Sequence, residues 1–111
     1  MKMTINAQRV ENKTIFILEE DNFSNDQFFQ EVHTVLDNNK SEFAIFDFSS
    51  IQIVQSLDFE ILKNLIAFNK LRDIESAVCG LDPQTLSISI HFLEDLNAPS
   101  FLNVEKALER L

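Results

Sequence analysis

The residues best placed to do chemistry in this 111-residue chain lie between positions 47 and 58. An apolar run ends in Asp47, a polar loop follows, and Ser56 stands where a helical pattern of apolar residues begins. A serine at a helix N-cap accepts a hydrogen bond from a free backbone N–H and contributes about 1 kcal/mol. A phosphate also suits a helix start, because the free amides and the helix dipole favour its charge of about −1.5 to −2. Ser56 is therefore predicted to be a structural cap or a phosphoacceptor.

The other reactive side chains do not match a known catalytic set. A triad of Ser56, Asp58 and either His33 or His91 would lack the glycine-flanked turn of a nucleophile elbow. Both histidines have apolar neighbours, which favours packed or rim positions. Cys79 has no basic neighbour in the sequence that would lower the pKa of its thiol, so we expect a small core residue. The sequence predicts no catalytic residue.

Metal and nucleotide cofactors are not expected either. The acidic residues Glu19, Glu20 and Asp21 are adjacent and diverge along the chain, unlike the spaced ligands of a calcium loop. One Cys and two His cannot supply the four ligands of a structural zinc site. The single glycine, Gly80, excludes the dinucleotide fingerprint and the P-loop, which need at least two.

The charge of the chain restricts its partners. Eighteen acidic residues against nine basic ones give a formal charge of −9, which repels phosphate backbones and anionic lipid headgroups. We therefore expect no nucleic-acid or membrane partner. The N-terminal residues lack the apolar region of a signal peptide, and a single cysteine suits a reducing compartment, so a cytoplasmic location is predicted.

In the first half of the chain, the apolar period predicts a hairpin, a helix and a buried strand. Apolar and polar residues alternate weakly at 4–10, and residues 14–18 are a β-branched and aromatic run. Residues 11–13 are the turn expected between these two strands. The helical spacing of Phe28, Val32, Val35 and Leu36 predicts a first helix that ends at 37–40. The nearly continuous apolar run at 43–48 is typical of a strand covered on both faces, so it should lie in the middle of the sheet.

In the second half, helices and short strands alternate. A helix from Ser56 to about Leu71 is predicted to bury the stripe Leu57, Ile61, Leu65 and Phe68. A short strand is predicted at 77–79, and Asp82 and Pro83 are predicted to open a third helix that buries Leu86, Ile90 and Leu93. The last segment predicts a short strand at 101–102 and a helix at 103–111. This helix is expected to bury Val104, Ala107, Leu108 and Leu111. This alternation predicts one α/β domain.

The segment around Ser56 resembles the phosphoserine region of STAS domains, the bacterial anti-sigma factor antagonists. The shared features are a strand ending in Asp47, a loop with Ile51 and Ile53, and Ser56 at a helix start. The chain departs from the family on either side of the serine: STAS domains usually have Asp immediately before it and often Ser-Gly after it, whereas this chain has Gln55 before it and Leu57 and Asp58 after it.

Two later segments extend the resemblance over most of the chain. Residues 80–86 are similar to the pattern that follows the fourth strand in stressosome-type members, and residues 104–108 resemble their closing helix. The resemblance implies a single STAS domain over residues 1–111, with a mixed β-sheet of four to five strands flanked by about four α-helices.

The resemblance also implies a function without catalysis. A serine kinase of the GHKL type would phosphorylate Ser56, with Thr85 as a second candidate, and a PP2C-like phosphatase would reverse it. Only the unphosphorylated state would bind its partner, the kinase or phosphatase itself or an anti-sigma factor. Docking would use these residues: Gln55, Ser56, Leu57, Asp58, Lys63 and Asn64.

Two other functions remain open from the sequence. In the first, the STAS domain is a structural or regulatory subunit of a larger assembly, and Ser56 is only a helix cap. In the second, the domain binds a small ligand.

The short stand-alone chain also resembles STAS regulators of biofilm polysaccharide production, which would connect it to signal transduction and the regulation of transcription.

Overall fold

The computed structural model describes residues 5–52, 54–81 and 94–111. The elements within these ranges are, in chain order, β1 (Asn6–Val10), β2 (Lys13–Ile17), α1 (Phe28–Asn39), β3 (Phe43–Asp47), α2 (Ser56–Leu71), β4 (Glu75–Cys79), β5 (Ser100–Phe101) and α3 (Val104–Arg110). Residues 94–96 are also helical. The predicted helix from Asp82, including Thr85, and also Ile53 and His91 lie outside the described residues.

The five strands form one mixed sheet in the order β1-β2-β3-β4-β5. β1 and β2 pair antiparallel through a turn in which Glu11 has φ 57°, which confirms the predicted hairpin. β2, β3, β4 and β5 pair parallel to one another. The carboxyl ends of four strands therefore meet at one edge, the edge at which open α/β sheets usually carry their sites.

The central position predicted for β3 is confirmed. β3 lies between β2 and β4, and Ala44, Ile45 and Phe46 are fully buried. The rings of Phe16 on β2 and Phe46 stack with their centroids 5.3 Å apart. The nearly continuous apolar run follows from this burial, because side chains on both faces of the strand meet a packed layer.

Helices pack on both faces of the sheet. On one face, α1 and α2 enclose the main core, to which α1 contributes Phe28, Val32 and Leu36 as predicted. On the other face, Ala107 of α3 packs with Ile15, Ile45 and Cys79. The remaining residues predicted to face inward, Val104, Leu108 and Leu111, are partly buried against this second cluster. Successive side chains along a strand point to opposite faces of the sheet, so the strands contribute residues to both clusters.

The prediction of which face of α2 is buried is wrong. Of that stripe only Leu65 is buried, whereas Leu57 is 67% exposed and Phe68 is 42% exposed. The buried face consists of Phe59, Leu62, Leu65, Ile66 and Asn69. Apolar residues occupy most of the circumference of α2, so its periodicity fits two stripes. The buried face includes the polar Asn69, which a search for apolar spacing does not pick out. Asn69 is tolerated there because its Nδ2 donates a hydrogen bond of 3.1 Å to Ser76 Oγ on β4.

Candidate partner-binding and phosphorylation site

Backbone hydrogen bonds join the chain segments that leave the carboxyl edge of the sheet. Leu18 N–H, after β2, donates to the carbonyl of Asp47 at 3.0 Å. Phe48 N–H, after β3, donates to the carbonyl of Cys79 at 2.9 Å. The loop that leads to Ser56 therefore starts from a fixed backbone.

Gly80 shapes the first turn of that loop. Its φ of +75° lies in the left-handed region, and a Cβ there would stand 2.6 Å from Asp47 Oδ1 and 2.8 Å from the backbone N of Ser49. Asp47 Oδ1 accepts a hydrogen bond of 3.0 Å from Ser49 N–H. Only glycine combines this φ with so close an approach. The Asp47 carboxylate thus fixes the turn after β3, beyond its predicted role as the end of a buried strand.

The thiol of Cys79 is not reactive in this environment. Cys79 is fully buried, and burial raises the pKa of its thiol to about 12, with further contributions from the negative charge of Asp47 and a hydrogen bond to it. A thiol with so high a pKa remains protonated at neutral pH and is a poor nucleophile. The prediction of a small core residue is confirmed.

The structure corrects the position of Ser56 at the start of α2. Gln55 is the N-cap residue, with φ −90° and ψ 160°, and Ser56 is the first residue of the helix. The Asp58 carboxylate accepts a hydrogen bond of 3.1 Å from Gln55 N–H. The alternative in which Ser56 is the cap is therefore wrong, because the chain enters the helix one residue earlier. Ser56 is exposed, and within the described residues no hydrogen bond holds its hydroxyl.

The other residues predicted to dock a partner lie on α2 or next to it. Gln55, Leu57, Lys63 and Asn64 are exposed, and Asp58 is half-buried. Since seven residues make about two helical turns, Lys63 lies on the same side of the helix as Ser56, about 10 Å further along, and Asn64 bears the same relation to Leu57. The six predicted residues thus lie within the N-cap and the first nine residues of α2.

An apolar surface on α2 was missed from the sequence. Leu57, Phe68 and Leu71 are 67%, 42% and 85% exposed, although each continues the helical spacing of core residues. The Phe68 ring packs at its edge against Phe29 and His33 of α1, with centroids 5.7 Å and 4.4 Å away. Phe68 and Leu71 lie three residues apart on α2 and are neighbours on its surface, whereas Leu57 is a separate exposed leucine at the other end of the helix.

Three acidic residues that follow β2 also lie near this edge of the sheet. Glu19, Glu20 and Asp21 are exposed, and Glu20 accepts a hydrogen bond of 3.3 Å from Gln52 N–H. No three His, Cys, Asp or Glu side chains among the described residues gather as a metal site would require. None of the helices in those residues has the length and apolar character that crossing a bilayer requires.

Comparison with known proteins gives matches to solved structures. No protein-family model matches the chain, and no curated protein matches it. A serine-to-glutamate variant of RsbS from Moorella thermoacetica is 16% identical, with 97% of this chain and 94% of that chain covered and a TM-score of 0.78. A structure of the stressosome, described as a signal integration and transduction hub, is 18% identical, with 95% and 94% covered and a TM-score of 0.72.

A third match is a proposed anti-sigma factor antagonist from Thermotoga maritima. It is 12% identical, with 96% of this chain and 92% of that chain covered and a TM-score of 0.75. At such identities the likeness concerns the backbone, and it extends over nearly the whole chain. The chain therefore has the STAS fold, as its resemblance to STAS domains predicted.

Proposed function

We propose that this chain is a member of the STAS regulators and exchanges protein partners under the control of phosphorylation at Ser56. The observation that carries the proposal is the position of this serine. Its hydroxyl is exposed at the first residue of α2, and Gln55 with Asp58 supplies the cap in its place. A phosphate on Ser56 would therefore leave the hydrogen bond that caps the helix intact.

The fold neighbours support the regulatory class. They include a stressosome structure and a proposed anti-sigma factor antagonist, whose names describe signalling and regulation rather than catalysis. By analogy, the partners of this chain would be a GHKL-type serine kinase, a PP2C-like phosphatase or an anti-sigma factor. The cytoplasm would be the place of this exchange, and a role in biofilm formation or transcription stays a prediction.

The proposed mechanism is electrostatic. A phosphate on Ser56 is stabilised on the protein by the free N–H groups of the first turn and by the positive end of the helix dipole. The next residue, Leu57, offers an exposed apolar side chain for contact with a partner. A charge of about −1.5 to −2 beside that contact raises the desolvation cost of docking, so the unphosphorylated state binds.

The residues around Ser56 define what the partner must recognise. Gln55, Asp58, Lys63 and Asn64 provide polar contacts along the same helix. The net charge of −9 favours a partner with a basic docking surface. We therefore propose a basic protein surface with an apolar residue that contacts Leu57.

Mass spectrometry tests the phosphorylation directly. The purified chain is incubated with ATP and a cell extract of its source organism, and the modified residue is located by fragmentation. We expect one phosphate on Ser56, none on Ser56→Ala, and unchanged uptake by Ser50→Ala, which alters an exposed serine of the same loop. Equal uptake by Ser56→Ala and the unmutated chain would overturn the proposal.

One observation favours the second candidate function, a small-ligand-binding module. A cleft of about 570 Å³ lies at the end of α2 and the start of β4, where Lys70, Ser76 and Asn97 contribute polar groups to its lining. This cleft is at the edge of the sheet opposite to Ser56. A thermal-shift screen against nucleotides and lipids tests it, and a ligand whose effect is lost in Lys70→Ala, which alters an exposed residue of the lining, would support this function.

A further inference from the structure

The cleft at the end of α2 carries charges of both signs. Lys70, Asp73 and Glu75 all contribute to its lining, and all three are exposed. Among the described residues, the ammonium of Lys70 forms no ion pair, and neither do the carboxylates of Asp73 and Glu75. One cationic group and two anionic groups are thus available to a ligand within a single cleft.

The wall of the cleft also holds a buried hydroxyl whose proton is not used. Ser76 on β4 is 8% exposed and belongs to the lining. Its Oγ accepts the hydrogen bond from Asn69 Nδ2, so its own proton needs another acceptor, and the described residues offer none. The Asn69 Oδ1 is buried and likewise has no hydrogen-bond partner among those residues. Because buried polar groups are nearly always hydrogen-bonded in folded proteins, the Ser76 hydroxyl is a group that a ligand can satisfy.

The size and the remaining lining of the cleft suit a small organic molecule. Its volume of about 570 Å³ lies within the range of about 300–1,000 Å³ that is usual for ligand pockets. Ile66, Ile74 and Pro99 provide apolar surface between the charged residues, and Asn97 adds an amide. A ligand that fits this lining has charged ends and an apolar body.

The end of α2 determines which charge of a ligand would lie where. Asp73 follows the C-cap residue of α2, and Glu75 begins β4. These carboxylates and the negative end of the helix dipole favour an ammonium group. The ammonium of Lys70 and the hydroxyl of Ser76 are donors, which suit a carboxylate. A ligand with negative charge alone would meet two carboxylates and only one cation, so it would be repelled more than attracted.

We propose that this cleft binds a small zwitterion with apolar side chains, the chemical class of free amino acids and short peptides. The ammonium of the ligand would lie at Asp73 and Glu75. Its carboxylate would lie at Lys70 and Ser76. The inference rests on the second candidate function, the ligand-binding module, and it concerns the edge of the sheet opposite to Ser56, so it does not depend on phosphorylation.

Nuclear magnetic resonance titration of the isotope-labelled chain tests the ligand class. The probe is the dipeptide leucylleucine, compared with its N-acetyl form, which lacks the ammonium, and with its amide, which lacks the carboxylate. We expect leucylleucine to bind with a dissociation constant on the order of 1 mM or below. It should shift the backbone amide signal of Ser76 and leave that of Leu57 unchanged. Since all three probes carry the same side chains, each blocked form should bind at least about fivefold more weakly through its lost charge alone.

Two variants that each remove one charge test the assigned residues. Lys70→Gln should weaken the binding of leucylleucine at least about fivefold, and it should bind the amide form as the unmutated chain does. Asp73→Asn should show the same pattern with the N-acetyl form. Asparagine tolerates the left-handed φ of 60° at this position, so this variant should fold. Lys106→Gln, which alters an exposed lysine of α3, is the matched control and should bind all three probes like the unmutated chain.

The outcomes separate the ligand class from the ligand-binding function. Equal binding of the three probes with shifts around Ser76 would overturn the zwitterion class and leave the cleft as a ligand site. No binding of leucylleucine up to about 10 mM, or shifts confined to the start of α2, would overturn the inference. A hit of the thermal-shift screen that is lost in Lys70→Ala would, in that case, still support the ligand-binding function.

Discussion

Gly80 and Asp47 approach each other so closely at the ends of neighbouring strands that a Cβ at Gly80 would lie 2.6 Å from Asp47 Oδ1. The same Asp47 oxygen accepts a hydrogen bond from Ser49 N–H, which begins the loop towards Ser56. Because Gly80 has no side chain, the chain after β4 leaves room for the turn that Asp47 and Ser49 form after β3. The loop that starts from this turn leads to the proposed phosphoacceptor, Ser56.

Gly80→Ala is expected to destabilise the protein. Its φ of +75° alone costs an L-residue about 1–2 kcal/mol, and the new methyl group would also displace Asp47 or Ser49. We expect the free energy of unfolding in urea to fall by at least about 1–2 kcal/mol. Ser50→Ala, an exposed site on the same edge, should change it by less than about 0.5 kcal/mol. Equal stability of the two variants would contradict this account of the turn.

The orientation of α2 can be tested with two leucines of the same helix. Leu62 is fully buried, and its replacement by alanine should lower the free energy of unfolding by about 2–5 kcal/mol. Leu57 is 67% exposed, so Leu57→Ala should change it by less than about 0.5 kcal/mol. The measurement is a denaturant titration of both variants. A larger loss for Leu57→Ala than for Leu62→Ala would restore the helix orientation predicted from the sequence.

The buried thiol of Cys79 predicts a loss of stability at high pH. Folding raises its pKa from 9.0 to about 12, so between these values the unfolded chain gives up this proton first. The unfolded state then binds fewer protons, and the free energy of unfolding falls by up to about 1.4 kcal/mol per pH unit. Cys79→Ala lacks this contribution, so its stability should approach that of the unmutated chain above about pH 9. A constant difference between the two across this range would show that the thiol does not titrate as described.

The lowered pKa of His33 predicts that the free energy of unfolding falls as the pH is lowered into the mildly acidic range. Burial, and then the charge of Arg72, lower its pKa below 6.5. Its ring lies between Phe29 and Phe68, and Arg72, which pairs with Asp37, reaches its Nδ1 at 3.3 Å. As the pH falls through 6.5, the unfolded chain binds a proton at this residue before the folded chain does, so stability decreases.

His33→Gln removes this dependence and keeps His91, so it isolates the contribution of one ring. The urea midpoints of both proteins are compared at about pH 7.5 and about pH 5.5. We expect the unmutated chain to lose more stability between these two conditions than the variant. An equal or smaller loss would contradict the lowered pKa.

The fold was predictable where a segment admits only one interpretation. The run at 43–48 is short, nearly continuously apolar and rich in Phe and Ile, as a strand between two layers is, and β3 is central. α2 is the counterexample, because leucines, isoleucines and phenylalanines surround most of it. Its buried face includes Asn69, whose partner Ser76 lies on β4. No periodicity along one helix shows a hydrogen bond to another element, and so the orientation of α2 could not be predicted.

The candidate site was predicted in part for the same reason. Ser56 was identified from its place at a helix start, and the structure puts it in the first turn. The cap was assigned one residue too late, because Gln55 is a less common cap than serine and is supported here by Asp58. The contact between Gly80 and Asp47 joins residues 33 positions apart, which only the parallel pairing of β3 and β4 brings together.

The central claim, that charge at Ser56 controls partner binding, is tested most directly by one set of dissociation constants. The partner that copurifies with Ser56→Ala is titrated with the unmutated chain, Ser56→Asp and the matched control Ser50→Asp. Ser56→Asp should fold normally, because the helix dipole favours an acid in the first turn. We predict that Ser56→Asp binds at least about tenfold more weakly, about 1.4 kcal/mol, while Ser50→Asp binds like the unmutated chain. Equal affinity of Ser56→Asp and Ser50→Asp for this partner would contradict the account.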